Sequence, residues 1–472
     1  MFRRACVALG VAAAFGAAAA AQPQFDAAAA RQLGRSILDE GQSLRYVSEL
    51  TRTAGPRLTG SATYERAAEW AAQQFRAAGV DHVALEPFPI GRGWERVSAR
   101  GRIVAPIEQA LHVASLGWMP STPEGGLEGE VVFVRDLSPD TIAAQLSLKG
   151  RIALLPDGEP YGSPYDRTRV RQNIDARLRD AGAIAILSPD TDRGNVLAAR
   201  WRGFSADLGA LPAAQIGRDE AQTIRRMLEK ETVRVAIDLQ NRISPGAIEV
   251  HNVAAEIRGR ERPDEWILVG AHLDSWDFAS GAQDNGTGVA HVLEAARVIA
   301  ASGRVPRRSI RFVLFGGEEQ GQLGSAAYVR AHERELDGCV AMLNTDAGSG
   351  RTIGWTMPGR ADVVLAVQPL AQALLTDLHA ATLDQSLQYA FQSDGAHFLL
   401  AGIPMLDLNA DDSAYEEIHH KTTDTIDRVD ARHVAIGAAT VAMTAWAIAD
   451  APKRLAARLD RQAVQRLYSK GE

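Results

Sequence analysis

Six residues in the middle of the chain have side chains and spacings that suit hydrolytic metal chemistry. His272 follows the apolar run Trp266-Ile267-Leu268-Val269 and opens His272-Leu273-Asp274-Ser275-Trp276-Asp277; Asp284 comes twelve residues after it, just before Asn285-Gly286. Gly316-Gly317-Glu318-Glu319 follows the run from Ile310 to Phe315, and Asn344-Thr345-Asp346 follows the run from Val340 to Leu343. Imidazole nitrogen mixed with carboxylate oxygen is the ligand set of a hydrolytic zinc site, whereas oxygen alone would suit magnesium or calcium. One carboxylate has two oxygens and can bridge two ions about 3.5 to 4 Å apart, each completed by an imidazole and a further carboxylate.

Each residue also has an ordinary role to weigh. His272 could be a satisfied polar group at a strand end, Asp284 the N-cap of the helix that follows, and Asp346 a turn former. Adjacent glutamates are usually a solvated pair. Packing does not explain why three successive apolar strands should each end in such a group.

The elements that must position these residues are legible from periodicity. The apolar runs at 266–269, 310–315, 340–343 and Ile403 to Leu408 are continuous rather than alternating, as in strands buried on both faces, and Gly288 to Ala300 reads as a helix between two of them. This predicts an α/β fold in which a mixed, mostly parallel sheet is sandwiched by helices, with ligands gathering beyond the carboxyl ends of the strands. From Arg31 to Val80 the pattern is helical: Ile37, Leu44 and Val47 share one face, and a second run from Tyr64 to Ala78 ends at Gly79. Turn-rich Gly55-Pro56-Arg57-Leu58-Thr59-Gly60 separates the two. Short β-rich runs such as Val131-Val132-Phe133-Val134, broken by Gly, Pro and Asp, mark the stretch from about Leu111 to Leu239. It reads as a β-rich insert over 111–244 that shapes or covers the site, with 22–110 and 245–472 forming the site-bearing domain.

Length and composition bound the rest. At 472 residues the chain exceeds the roughly 250 to 300 at which one core stops growing, so two units are expected. Arg3 and Arg4, the apolar stretch Val7 to Ala20 and the small residues ending at Ala21 form the pattern of a signal peptide over 1–21. Export to the periplasm or the medium is expected, with no stable membrane insertion after cleavage and no later stretch able to span a bilayer. Cys6 lies in that segment, which leaves Cys339 alone and no intramolecular disulfide. A formal charge of −7 argues against nucleic acid as a partner.

The blocks His272 to Gly288, Gly316 to Glu319, Asn344 to Asp346 and His420-Lys421-Thr422-Thr423-Asp424 resemble those of the co-catalytic zinc aminopeptidases and glutamate carboxypeptidases, the plasma glutamate carboxypeptidase (carboxypeptidase Q) type above all. The insert resembles a protease-associated domain through Leu148 to Leu155, Ala181 to Ile186 and Leu211 to Ala214. The resemblance implies two Zn²⁺ per chain, one held by His272 and Asp346, the other by Glu319 and His420, with Asp284 bridging and Glu318 as general base for a metal-activated water. It also implies that Asp274 bonds the His272 imidazole, that the Asp284-Asn285 bond is cis, and that His420 rather than His419 is the ligand because Asp424-Thr425 follows four residues later. Lys421 departs from the small hydroxyl residue that relatives often carry there. His291 and His397 read as packing or surface residues, and Ser393-Asp394 as a weak candidate for the pocket wall. The implied substrate is a short peptide with a free amino end, taken by an aminopeptidase or dipeptidase; a carboxypeptidase releasing C-terminal glutamate is the alternative. A glutaminyl cyclase-like acyltransferase with one zinc and a non-catalytic receptor on the same fold are the rivals. A homodimer is expected by analogy.

Overall fold

The structure is a computed structural model that describes residues 25–144, 148–157 and 167–468. The expected signal peptide lies outside the described residues. Three helices, α1 (Ala27–Glu40), α2 (Ser43–Thr53) and α3 (Ala62–Ala77), lead into β1 (His82–Ile90). The chain then builds β2 (Trp94–Ala105), β3 (Gln109–Leu111), β4 (Val113–Ser115), β5 (Leu127–Phe133), α4 (Pro139–Ala144), β6 (Ile152–Leu154), α5 (Arg167–Asp180), β7 (Ala185–Pro189), β8 (Ala213–Ile216), α6 (Arg218–Leu228) and β9 (Arg234–Ile243). It returns on β10 (Ile248–Ile257) and β11 (Arg262–His272), followed by α7 (Gly286–Ala301), β12 (Arg308–Phe315), α8 (Leu323–Ala331) and β13 (Cys339–Asn344). The remainder is β14 (Thr352–Thr356), α9 (Ala361–Leu374), β15 (Thr382–Asp384), α10 (Gly395–Leu400), β16 (Met405–Ala410), α11 (Ala431–Asp450) and α12 (Arg461–Tyr468).

The first sheet has the order β1-β10-β12-β11-β13-β16-β14-β15, and its central strands β12, β11, β13 and β16 run parallel. Both faces are covered, as continuous apolar strands require. Ile267, Val269 and Ala271 of β11 pack into a core shared with α1, α2, α3, α7 and α11, while Trp266 and Leu268 point the other way toward α8 and α10. Side-chain oxygens start the helices where the sequence supplies them: Asp26 accepts from Ala29 N–H, Ser61 from Tyr64 N–H, Asn285 from Gly288 N–H and Asp430 from His433 N–H.

Three expectations are corrected. The helical run after Arg31 breaks at Gly41, which resets the phase, so Leu44 is 38% exposed while Ser43 and Tyr46 turn inward. The strand Trp94–Ala105, grouped with the site-bearing domain from sequence, pairs antiparallel with β9 from Trp94↔Ile243 onward and belongs to the second sheet, β3-β2-β9-β5-β6-β7-β8-β4. The two units part where the β1–β10 register ends at Ile90↔Ile248. Finally, α11 is long and apolar enough to cross a membrane by length and composition, contrary to the expectation for the later chain; it is a mostly buried core helix against α1 and α7.

Candidate metal centre

Parallel pairing aligns the ends of β11, β12 and β13, with His272 opposite Phe315 and Gly270 opposite Asn344. The loops leaving these strands therefore start at one rim and carry Glu318, Glu319 and Asp346 toward His272. Asp284 arrives from the loop before α7, across a cis peptide bond to Asn285.

Asp284 lies between the two imidazoles. Its Oδ1 is 3.2 Å from His272 Nε2, which is also 3.4 Å from Asp346 Oδ1. Its Oδ2 is 3.5 Å from His420 Nε2, which is 3.0 Å from Glu319 Oε2. His272, Asp284 and Asp346 form one group with ligand atoms close enough to share an ion. A second such group holds Asp284, His419 and His420. His419 is the more distant imidazole, 4.0 Å from Asp284, and stacks on Tyr415. His291 and His397 join neither group.

The chemistry of this donor set fits a metal. Asp274, Asp284 and Glu319 are buried within one rim, Asp346 and Glu318 are part-buried, and Glu319 Oε1 is buried without a hydrogen-bond partner. Burial raises the Glu319 carboxyl well above its usual range, with Asp284 adding repulsion. Burial likewise raises Glu318, against the pull of His272 and with help from Asp346, Glu319 and Asp394. A dication held among these oxygens would supply the missing positive charge.

The residues that fix the rim were mostly silent in the sequence. Arg57, fully buried, sends its guanidinium into the loop after His272, donating to the carbonyls of Leu273, Ser280 and Gly281. Thr59 Oγ accepts from Gly317 N–H, and Gln320 Nε2 donates to the Thr59 carbonyl. The Asp424 carboxylate accepts from the backbone N–H groups of Gln283 and Asp284 at 2.7 and 3.2 Å. Asn285 Nδ2 donates to Thr345 O at 2.9 Å, tying the Asp284 loop to that of Asp346. Asp274 faces the His272 imidazole with two groups: its backbone carbonyl lies 3.1 Å from His272 Nδ1 and its carboxylate 3.6 Å. That carboxylate accepts from Glu318 N–H at 3.2 Å and so anchors the backbone of Glu318.

A cavity of about 420 Å³ opens beside the rim, with Asp346 and His419 in its wall. Asp384, Asp407, Asp412 and Glu416 line it, together with Ser393, and among the described residues no Lys or Arg lines it. Asp394, the neighbour of Ser393, is fully buried and its carboxyl is pushed up to about 7, chiefly by burial.

Comparison with known proteins places this geometry. Residues 252–445 match the sequence profile of Peptidase family M28. Carboxypeptidase Q of Homo sapiens is 28% identical over 430 residues, covering 88% of this chain and 87% of the relative. Aminopeptidase YwaD of Bacillus subtilis (strain 168) is 29% identical over 308 residues, covering 64% and 60%. The crystal structure of a peptidase M28 precursor from Shewanella amazonensis SB2B superposes with a TM-score of 0.77 at 29% identity, over 92% of this chain and 99% of that one. A zinc aminopeptidase from Bacillus subtilis, at 21% identity and a TM-score of 0.66, shares the fold over 85% of this chain and 93% of its own. The helix-sandwiched sheet with its His and carboxylate rim defines a metallo-exopeptidase. More narrowly, the segment that carries most of the rim, residues 252–445, matches peptidase family M28.

Proposed function

We propose that the protein hydrolyses short peptides from a free amino end at two zinc ions, one held by His272 and Asp346, the other by Glu319 and His420, with Asp284 between them. The observation that carries this reading is the division of Asp284, one oxygen turned to each imidazole and its carboxylate. Relatives named as zinc aminopeptidases support the choice of metal. Zinc held there would supply a water of lowered pKa, toward ~7, and a Lewis acid for the scissile carbonyl. Glu318 stands on the backbone that Asp274 anchors and carries a raised pKa, so it takes the proton from the attacking water and returns it to the leaving amine. Arg57, Thr59 and Asp424 keep the rim in register for that transfer.

The cavity wall supports the amino-end assignment. Its carboxylates favour an α-ammonium group, whereas release of a C-terminal glutamate calls for a cation to meet the substrate's own carboxylates. The second reading, a carboxypeptidase, rests on the naming of the carboxypeptidase Q relatives. Dipeptides with free and with acetylated amino ends separate the two: cleavage of the acetylated series at the rate of the free one sinks the amino-end reading. Glu318→Gln is expected to lower kcat by at least a thousandfold while zinc stays bound; near wild-type turnover removes Glu318 from its role. One zinc per chain in the wild type would favour cyclase chemistry instead. The pattern in residues 1–21 supports export, and the insert's likeness to a protease-associated domain supports a role at the site's edge.

A further inference from the structure

His420 is held differently from the other proposed ligands. It lies on neither strand nor helix and its backbone is left-handed, with φ of 60°, a conformation that costs a residue with a side chain about 1 kcal/mol or more unless its surroundings enforce it. Its own turn supplies part of the hold, with the Lys421 ammonium donating to the Glu416 carbonyl, and the other unit supplies further groups. Ala199 N–H donates to the His420 carbonyl at 2.7 Å, and Ala198 forms an antiparallel bridge with Lys421. The Lys421 ammonium pairs with the Asp192 carboxylate at 3.1 Å, with the lysine side chain only 12% exposed.

The segment that supplies these contacts is itself fixed. Asp190, buried at the end of the second sheet, accepts from Asp192 N–H at 3.0 Å and from Ala198 N–H at 2.9 Å, and also from Gln215 Nε2 on β8. The 190–199 segment therefore moves with the second sheet. His272 and Asp346, by contrast, are delivered by β11 and β13 of the first sheet. Lys421, which departs from the small residue that the family resemblance leads one to expect, has a structural use.

We infer that Asp192 and Lys421 are positioning residues for the half of the metal centre formed by His420 and Glu319, so that the second unit completes one metal position and leaves the other to the first sheet. The inference rests on the two-zinc reading. A left-handed residue freed from its clamp relaxes toward ordinary backbone angles, which swings the imbedded imidazole away from Glu319; loss of such outer support typically weakens metal binding about 10- to 100-fold.

The test is Zn²⁺ titration of the purified, metal-stripped full-length chain against a competing chelator, for the wild type, Asp192→Asn, Lys421→Met and the double variant. Each single variant is expected to weaken one of two binding steps about tenfold or more and leave the other unchanged, and the double variant to be no worse than either single one. Wild-type affinities at both steps in the single variants, equal weakening of both steps, or additive losses in the double variant would overturn the inference. A wild type with a single binding step overturns the two-zinc reading instead, and this inference with it. Where Asp192→Asn gives no folded chain, Lys421→Met decides.

Discussion

At the scale of single residues, Asp284 and Arg57 have opposite kinds of importance. Asp284 is the shared neighbour of His272 and His420, so on the proposed two-zinc reading Asp284→Asn, which keeps size but removes charge, is expected to reduce bound zinc to one ion or none. Elemental analysis of the purified variant checks this; two retained zincs would contradict the bridge. Arg57 touches neither imidazole but pairs three backbone carbonyls of the loop between His272 and Asp284. Arg57→Met leaves those buried acceptors unpaired, at about 1 to 3 kcal/mol each where water cannot reach. Its urea midpoint is expected to fall by an amount equivalent to about 3 kcal/mol or more, with zinc retention falling alongside. His272, Asp284, Glu318, Glu319 and Asp346 could be picked out of the sequence because groups of ligand type follow three successive apolar strands. Arg57 and Thr59 were not, because a buried guanidinium or hydroxyl that serves distant backbone leaves no spacing pattern.

At the scale of elements, α7 and α11 cross closely where Gly437 faces His291. A Cβ at 437 would lie 2.5 Å from His291 Nε2, and His291 is held from the other side by Thr345 Oγ at 2.8 Å. Gly437→Ala is therefore expected to cost about 2 kcal/mol through overpacking, read as a lowered urea midpoint. His291 also makes stability depend on pH. Burial holds its pKa down to about 4, against an unfolded value near 6.5. Below about 6.5 the unfolded chain takes up a proton that the folded chain refuses, so stability falls as pH drops toward 4 and then levels. Between pH 7 and 5 the wild type is expected to lose about 2 kcal/mol more than His291→Gln, in which this titration is missing; equal losses in matched urea titrations would refute the assignment. The periodicity that announced these helices could not announce their contact, because it reports which face is apolar and not what packs on it.

For the molecule as a whole, the second sheet closes against the rim. Trp94 and Trp118 reach Trp276 of the metal loop in one aromatic cluster, alongside the Lys421–Asp192 pair. Cys339 at the start of β13 reports on the integrity of the first sheet: it is fully buried and its thiol is pushed up to about 12, chiefly by burial. In a chain produced from Gln22 onward, a thiol reagent is expected to leave Cys339 unmodified until the sheet unfolds, so labelling should track global unfolding in a urea series. Prompt labelling in buffer would mean that β13 opens locally.

The sequence by itself determined the α/β class, the strands that end at the rim and the imidazole and acids that close or follow them, because ligand type and hydrophobic period are local properties of the chain. Tertiary structure alone decided that Trp94–Ala105 pairs with Arg234–Ile243 rather than with the first sheet, that Asp274 serves the backbone of Glu318, and that the backbone of His420 is held from the second unit. Strand pairing and backbone hydrogen bonding between residues far apart in the sequence are chosen by the closing of the whole chain, and no single stretch of sequence encodes its own partner.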